Sequence, residues 1–172
     1  MYDENIMREC ATTAKFTSRQ NIGGPFGAAV VKDGKVVSNR SNSVLETCDP
    51  TSHAEVNAIR AASLKLGTYD LSDCELYATG YPCPMCLGAI MWAGIKKIYI
   101  SGRLEDAESI GFKDKFIYTT IDNLEKVCYN KDIDSIQYNN PEENIHLDME
   151  FHDRDIAKDL YAEYASSNKT IY

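Results

Sequence analysis

The 172-residue sequence has no apolar stretch approaching the ~18 residues of a membrane span. Its start, Met1-Tyr2-Asp3-Glu4-Asn5, lacks the basic segment and apolar run of a secretory signal. The expected compartment is therefore the reducing cytoplasm, where six cysteines suggest metal ligands or catalytic groups before disulfides. No repeat, linker or low-complexity segment divides the chain. Positive charge is also short, with 18 Lys and Arg against 26 Asp and Glu. The deficit is uneven: residues 1–104 carry 11 basic and 10 acidic side chains, whereas 105–172 carry 7 and 16. No basic stripe offsets the acidic half, so a polyanion such as tRNA or DNA is a disfavoured partner.

What is present is ordinary for a globular protein: 44% hydrophobic and 26% charged residues. A chain of this length buries roughly 70% of its unfolded surface and needs no staple to make a core. One domain over residues 1–172 is expected, with a core of about 1–118 and a divergent extension over 119–172.

The pattern alternates between helix and strand. Residues 4–20 read as an opening helix. Strands at 26–31 and 35–38 flank Asp33-Gly34, a two-residue hairpin turn. Thr51 and Ser52 can start a helix that runs to Leu66-Gly67 with Ala54, Ala58, Ile59, Ala62 and Leu66 on its apolar face. A strand at 74–79, an apolar helix at 84–93 ended by Gly94 and a strand at 97–100 follow. Beyond 104 the pattern weakens. Asp153–Tyr164 reads as a terminal helix with Ile156, Leu160 and Tyr164 on one face, and polar 129–149 gives no assignment. This order predicts an α/β layer fold whose mixed sheet combines an antiparallel hairpin with parallel crossovers.

Two short motifs carry chemistry. Cys83-Pro84-Met85-Cys86 follows a predicted strand and opens a predicted helix. Thiols at i and i+3 on a first turn can reach one zinc ion, and the helix N-terminus favours their thiolate forms. A redox pair has the same spacing. His53-Ala54-Glu55 lies on the preceding helix, and its histidine can supply a third ligand. Three protein ligands leave a tetrahedral position for water, the mark of a catalytic rather than a structural site. Two thiolates and an imidazole cancel the zinc charge, so the ion needs a base alongside, and Glu55 can move protons from water to a ring nitrogen and a leaving amine. A structural zinc site needs a fourth protein ligand, for which Cys10, Cys48, Cys74, Cys128, His146 and His152 are candidates.

The combination H-x-E…P-C-x-x-C resembles the signature of zinc deaminases. The sequence resembles the cytidine deaminase-like superfamily and, within it, the bacterial guanine deaminase branch. The matching stretches are Gly23–Ala28, Asn42 with Asp49–Val56, Pro82–Ile90 with Trp92-Ala93, and Gly111–Asp114 with Phe116–Tyr118. The resemblance implies a three-layer α/β/α fold and hydrolysis of guanine to xanthine and ammonia with one zinc per chain. His53, Cys83 and Cys86 would bind the metal and Glu55 would shuttle protons. Asn42 and Asp114 would hydrogen-bond the purine edge, Phe26 and Trp92 would shape its pocket, and Tyr172 would cover it. A carboxylate such as Asp114 suits the ring N–H donors of guanine. The resemblance also implies a homodimer whose C-terminal segment can reach a neighbouring subunit.

Two departures stand out: Tyr81 occupies the position before Pro82 where the family usually has Glu, and residues 119–150 look dissimilar. Other substrates remain open: cytosine, guanosine, a triazine, or an adenosine of tRNA. A non-enzymatic module with structural zinc is the reading from a different class.

Overall fold

The computed structural model describes residues 1–125, 135–140, 145–167 and 169–170. In chain order the elements are α1 (Glu4–Arg19), β1 (Gly27–Lys32), β2 (Lys35–Ser41), α2 (Val44–Thr47), α3 (Ala54–Leu66), β3 (Cys74–Ala78) and α4 (Pro84–Trp92). Then follow β4 (Lys97–Ile100), α5 (Leu104–Ser109), α6 (Lys115–Glu125), β5 (Ser135–Asn140), β6 (Ile145–Phe151) and α7 (Arg154–Ser166). Asp3 starts α1 by accepting the Asn5 N–H at 2.9 Å. Asp33 and Gly34 both adopt positive φ (50° and 70°), which joins β1 to β2 by the tight turn that the sequence predicts.

Six strands form one mixed sheet in the order β2-β1-β3-β4-β6-β5. Pairing is antiparallel for β2-β1, β1-β3 and β6-β5, and parallel for β3-β4 and β4-β6. Period-two alternation sends side chains to two cores. Ala28, Val30, Leu76, Ala78, Ile98 and Ile100 meet Ala54, Ala58 and Ala62 of α3 and Ile90 of α4 on one face. Ala29, Val31, Tyr77 and Tyr99 meet Ile6, Met7 and Cys10 of α1 on the other. Ala14 of α1 and Ala107 of α5 continue that second layer against Ala157, Leu160, Tyr161 and Tyr164 of α7. The result is the expected three-layer α/β/α arrangement.

Three expectations are corrected. The helix expected from Thr51 begins at Ala54, because the Asp49 carboxylate holds the Thr51 N–H (2.8 Å) and the Ser52 hydroxyl (3.1 Å) in a turn. β2 extends to Ser41 and delivers the chain directly to Asn42. The stretch at 129–149 without an assignment contains β5 and most of β6. In β6, buried Leu147 and Met149 alternate with Asp148 and Glu150, which meet Lys97 on the opposite face. That alternation is a strand signal hidden by polar composition.

Candidate active site

Two helix N-termini converge on one point. His53 and Cys83 are the N-cap residues of α3 and α4, each in extended conformation (ψ 156° and 165°) and neither using its side chain to cap. Their carbonyls accept the first helical N–H groups, from Asn57 and Leu87, at 2.9 Å. The caps thus aim an imidazole and a thiol away from their own helices and toward each other, while Pro84 presets the first turn that carries Cys86.

The donor set fits a zinc ion. His53 Nδ1 lies 3.6 Å from Cys83 Sγ and 3.6 Å from Cys86 Sγ, and the two sulfurs are 3.6 Å apart. A tetrahedral zinc with ordinary bond lengths asks for about 3.8 Å between sulfurs and about 3.6 Å between nitrogen and sulfur. A sulfur separation of 3.6 Å also rules out a disulfide, so the pair is not an oxidised redox couple. Among the described residues, this is the group of three whose ligand atoms can close on one ion. Cys10 is sealed on the far face of the sheet, Cys48 is exposed, Cys74 begins β3, and His152 stacks on Tyr2. Cys128 and the His146 side chain lie outside the described residues.

Electrostatics agree with a site built for a cation. The hydrogen bond from Cys86 depresses the Cys83 thiol despite burial, and His53 assists. The Cys86 proton is held tightly in return by Cys83 and by burial. Burial opposes protonation of His53, but Cys83 and Glu55 raise it nonetheless. Two thiol ligands bind metal only after losing their protons, and helix N-termini ease that loss. Glu55, 7% exposed on the first turn of α3, receives a Cys86 contact at 3.5 Å. Burial pushes its carboxyl up to about 7, suited to a group that must both take and give a proton.

The residues expected to contact substrate come from elsewhere in the chain. Asn42 is 1% exposed, and its Oδ1 accepts the N–H groups of Gly24 (3.3 Å) and Val44 (3.1 Å). Its carbonyl is thereby committed to the backbone before β1 and at the start of α2. A side chain at Gly23 would start 2.4 Å from that Oδ1, so the glycine is a condition of this packing. Asp114 directly precedes α6, its carbonyl accepting from Ile117 at 3.0 Å. Burial and the charge of Cys83 raise its carboxyl, with His53 opposing, so Asp114 belongs to the same electrostatic site. Phe26 lies edge-on to Phe112, with ring centroids 4.9 Å apart.

Trp92 departs from expectation. It is 90% exposed at the C-terminal end of α4. At about 100° per residue it points roughly 200° away from buried Ile90, so it does not line its own chain's pocket. Tyr172 lies outside the described residues. Sequence reasoning also missed three aromatic residues around the site. Tyr118 donates to the Pro82 carbonyl and ties α6 to the zinc-side loop. Phe112 and Tyr161 flank Phe26. Tyr161 was detectable in the apolar stripe Ala157, Leu160, Tyr161 and Tyr164. Tyr81, where a Glu was expected, packs against Tyr118 and Phe151.

Residues 1–102 match the family described as the cytidine and deoxycytidylate deaminase zinc-binding region. The chain belongs to this family. It is 48% identical over 122 residues to the guanine deaminase of Bacillus subtilis (strain 168), covering 71% of this chain and 78% of that one. The crystal structure of a Bacillus subtilis guanine deaminase superposes with a TM-score of 0.68 at 38% identity, covering 100% of this chain and 99% of the other. Guanine deaminase from Nitrosomonas europaea gives 0.76 at 26% identity, covering 96% and 85%. A tRNA-specific adenosine deaminase of Aquifex aeolicus (strain VF5) is 47% identical over 77 residues, covering 45% of this chain and 51% of that protein. The family's zinc chemistry identifies the protein as a deaminase rather than a structural-zinc module.

Proposed function

We propose that this deaminase hydrolyses guanine to xanthine and ammonia, using one zinc per chain. The observation that carries the reading is Asp114, a half-buried carboxylate directly before α6 that feels the charges of Cys83 and His53. A carboxylate accepts the N–H groups on the guanine edge, and Asn42 hydrogen-bonds the same ring. Phe26 forms a wall for the ring. The guanine deaminase relatives, matched along most of their length, support the same substrate; the tRNA enzyme is matched over about half.

His53, Cys83 and Cys86 would hold the zinc, which would supply the positive charge that makes water a nucleophile at neutral pH. Glu55 takes a proton from the attacking water and passes it to ring N3 beside the amino-bearing carbon. A second transfer through Glu55 protonates the 2-amino group. The water oxygen becomes the new carbonyl as the C–N bond breaks, so water and guanine give xanthine and ammonia. Burial keeps bulk water from competing for that proton.

The same reading makes residues 1–172 one deaminase domain, because β6 and α7 share the sheet and core with the elements before them. It assigns the chain to guanine breakdown in the cytoplasm, where the ligand thiols stay reduced. It also makes the protein a homodimer. Met85, Met91 and Trp92 expose apolar surface along α4, and a second copy would cover it. Sedimentation should give a dimer that Trp92→Lys converts to monomer. α7 docks on α1 of its own chain through Glu163 to Lys15 and Arg19, so Tyr172 is the candidate for any exchanged contact. Ammonia release from purified protein given free bases and nucleosides tests the substrate. Turnover of guanine with no release from cytosine or adenosine is expected; turnover of another base without guanine would overturn the assignment.

A further inference from the structure

The metal donors rest on α3 and α4, yet Phe26, the proposed ring wall, packs against Tyr161 of α7, a helix from the other layer. Phe26 sits between two aromatic rings, Phe112 at 4.9 Å and 82° and Tyr161 of α7 at 5.5 Å and 63°. Tyr164, one turn further along α7, packs behind Phe112 at 6.0 Å. Tyr161 is 2% exposed, and its hydroxyl donates to the Thr79 carbonyl at 3.3 Å, where β3 ends and the chain turns toward Cys83. The same hydroxyl fills the space above Gly80: a Cβ there would lie 2.6 Å from Tyr161 Oη and 3.1 Å from Phe26. A fully packed ring cannot retreat from such a contact as a flexible side chain could.

We infer that Tyr161 is the positioning residue that fixes Phe26, and with it the base-binding wall, so that α7 sets substrate fit without touching the metal. This rests on the proposed pocket role of Phe26. Edge-to-face packing by two rings restrains the Phe26 ring, and Gly80 leaves the gap that the Tyr161 hydroxyl occupies. The Thr79 carbonyl also accepts the Gly102 N–H at 2.9 Å, so Tyr161→Phe leaves it paired and keeps the ring. Tyr161→Leu removes the ring contact itself. Gly80→Ala pushes on Phe26 and the hydroxyl from below.

The test measures KM, kcat and zinc content for the full-length protein, Tyr161→Leu, Tyr161→Phe, Gly80→Ala and the double variant Gly80→Ala/Tyr161→Phe. Tyr161→Leu and Gly80→Ala should each raise KM about tenfold, with kcat changed less than about threefold and zinc retained. Tyr161→Phe should recover most of what Tyr161→Leu loses, and should relieve Gly80→Ala in the double variant by removing the 2.6 Å contact. A residue that merely stabilises the fold would lower active fraction and leave KM alone, and no pairwise relief would follow. Unchanged KM in Gly80→Ala, or no relief in the double variant, overturns the proposal even if Tyr161→Leu fails to fold. Equilibrium binding of xanthine is read in parallel. If the wild type deaminates another base, the ratios are taken with that base, so losing the guanine assignment leaves the Tyr161 result readable on its own.

Discussion

The two halves of the site are built in different ways. The metal half is local: His53 and Cys83 each cap the helix that they precede, and Cys86 follows one turn later. Its geometry is set by helix starts and holds its donors at 3.6 Å from one another. The proposed substrate half draws on residues far apart in the chain: Asn42 just after β2, Asp114 just before α6, and Phe26 packed against Phe112 and Tyr161 of α7. Local construction ties the metal donors to two helix starts, whereas the proposed recognition residues depend on how separate layers of the fold pack together.

The largest effects should fall on the metal half and should be all-or-none. Glu55→Gln preserves shape but removes the proton carrier. Deamination should fall about 10³-fold while zinc content and the melting curve stay unchanged. An undiminished rate in that variant would break the assignment of Glu55 and with it the hydrolytic mechanism. Cys83→Ser or chelation should remove zinc, abolish turnover and lower the melting temperature, because two helix N-termini then face each other without the ion between them. Added zinc should restore the chelated wild type but not the variant. If zinc stays stoichiometric after Cys83→Ser, the three-donor site is wrong.

The same contrast explains what could be read from sequence. Asp33-Gly34, the Cys83–Cys86 spacing and the helix ending at Gly67 are short-range signals, and each appears where its residues predict it. The resemblance places Trp92 at a pocket, whereas helical phase on α4 turns it away from Cys86 and Ile90 of its own chain and leaves it exposed. β6 was hidden because Asp148 and Glu150 made a half-buried strand look like a polar loop. Tyr161 had a visible apolar stripe around it, but nothing in a one-dimensional pattern says that its hydroxyl ends above Gly80. Contacts between residues 82 positions apart depend on how layers stack, and periodicity carries no such information.

Smaller, graded effects should mark the substrate half. Asp114→Asn replaces a charged acceptor with a neutral amide and should raise KM for guanine about 10- to 100-fold, on the scale of a hydrogen bond to a charged group. Zinc content should not change. Loss of zinc in Asp114→Asn would mean that the two halves are one structural unit after all, and the comparison would fail.

The smallest effect should come from the anchor at the start of α7. Arg154 grips Asp106 through two bonds of 2.8 Å, and the Asp106 carboxylate also accepts the Arg103 N–H at 2.8 Å. Burial alone would raise the Asp106 carboxyl, but these partners outweigh it and hold it below the usual carboxylate range. Arg154→Ala should cost about 1–2 kcal/mol of stability near pH 7, at the low end for a charged bond because Arg154 is 39% exposed. A depressed carboxyl contributes stability above its unfolded value, about 3.9, and loses it as pH falls through the lower folded value. The stability difference between wild type and Arg154→Ala, measured by urea unfolding, should therefore stay constant from pH 7 to about pH 5 and shrink below about pH 4. Activity of the folded variant should keep its kcat and show a modest rise in KM, because α7 loosens while the donors on α3 and α4 stay fixed. A fall in kcat at constant KM would instead place the anchor's influence on the metal half, and the division between a local reacting centre and a long-range recognition wall would have to be redrawn.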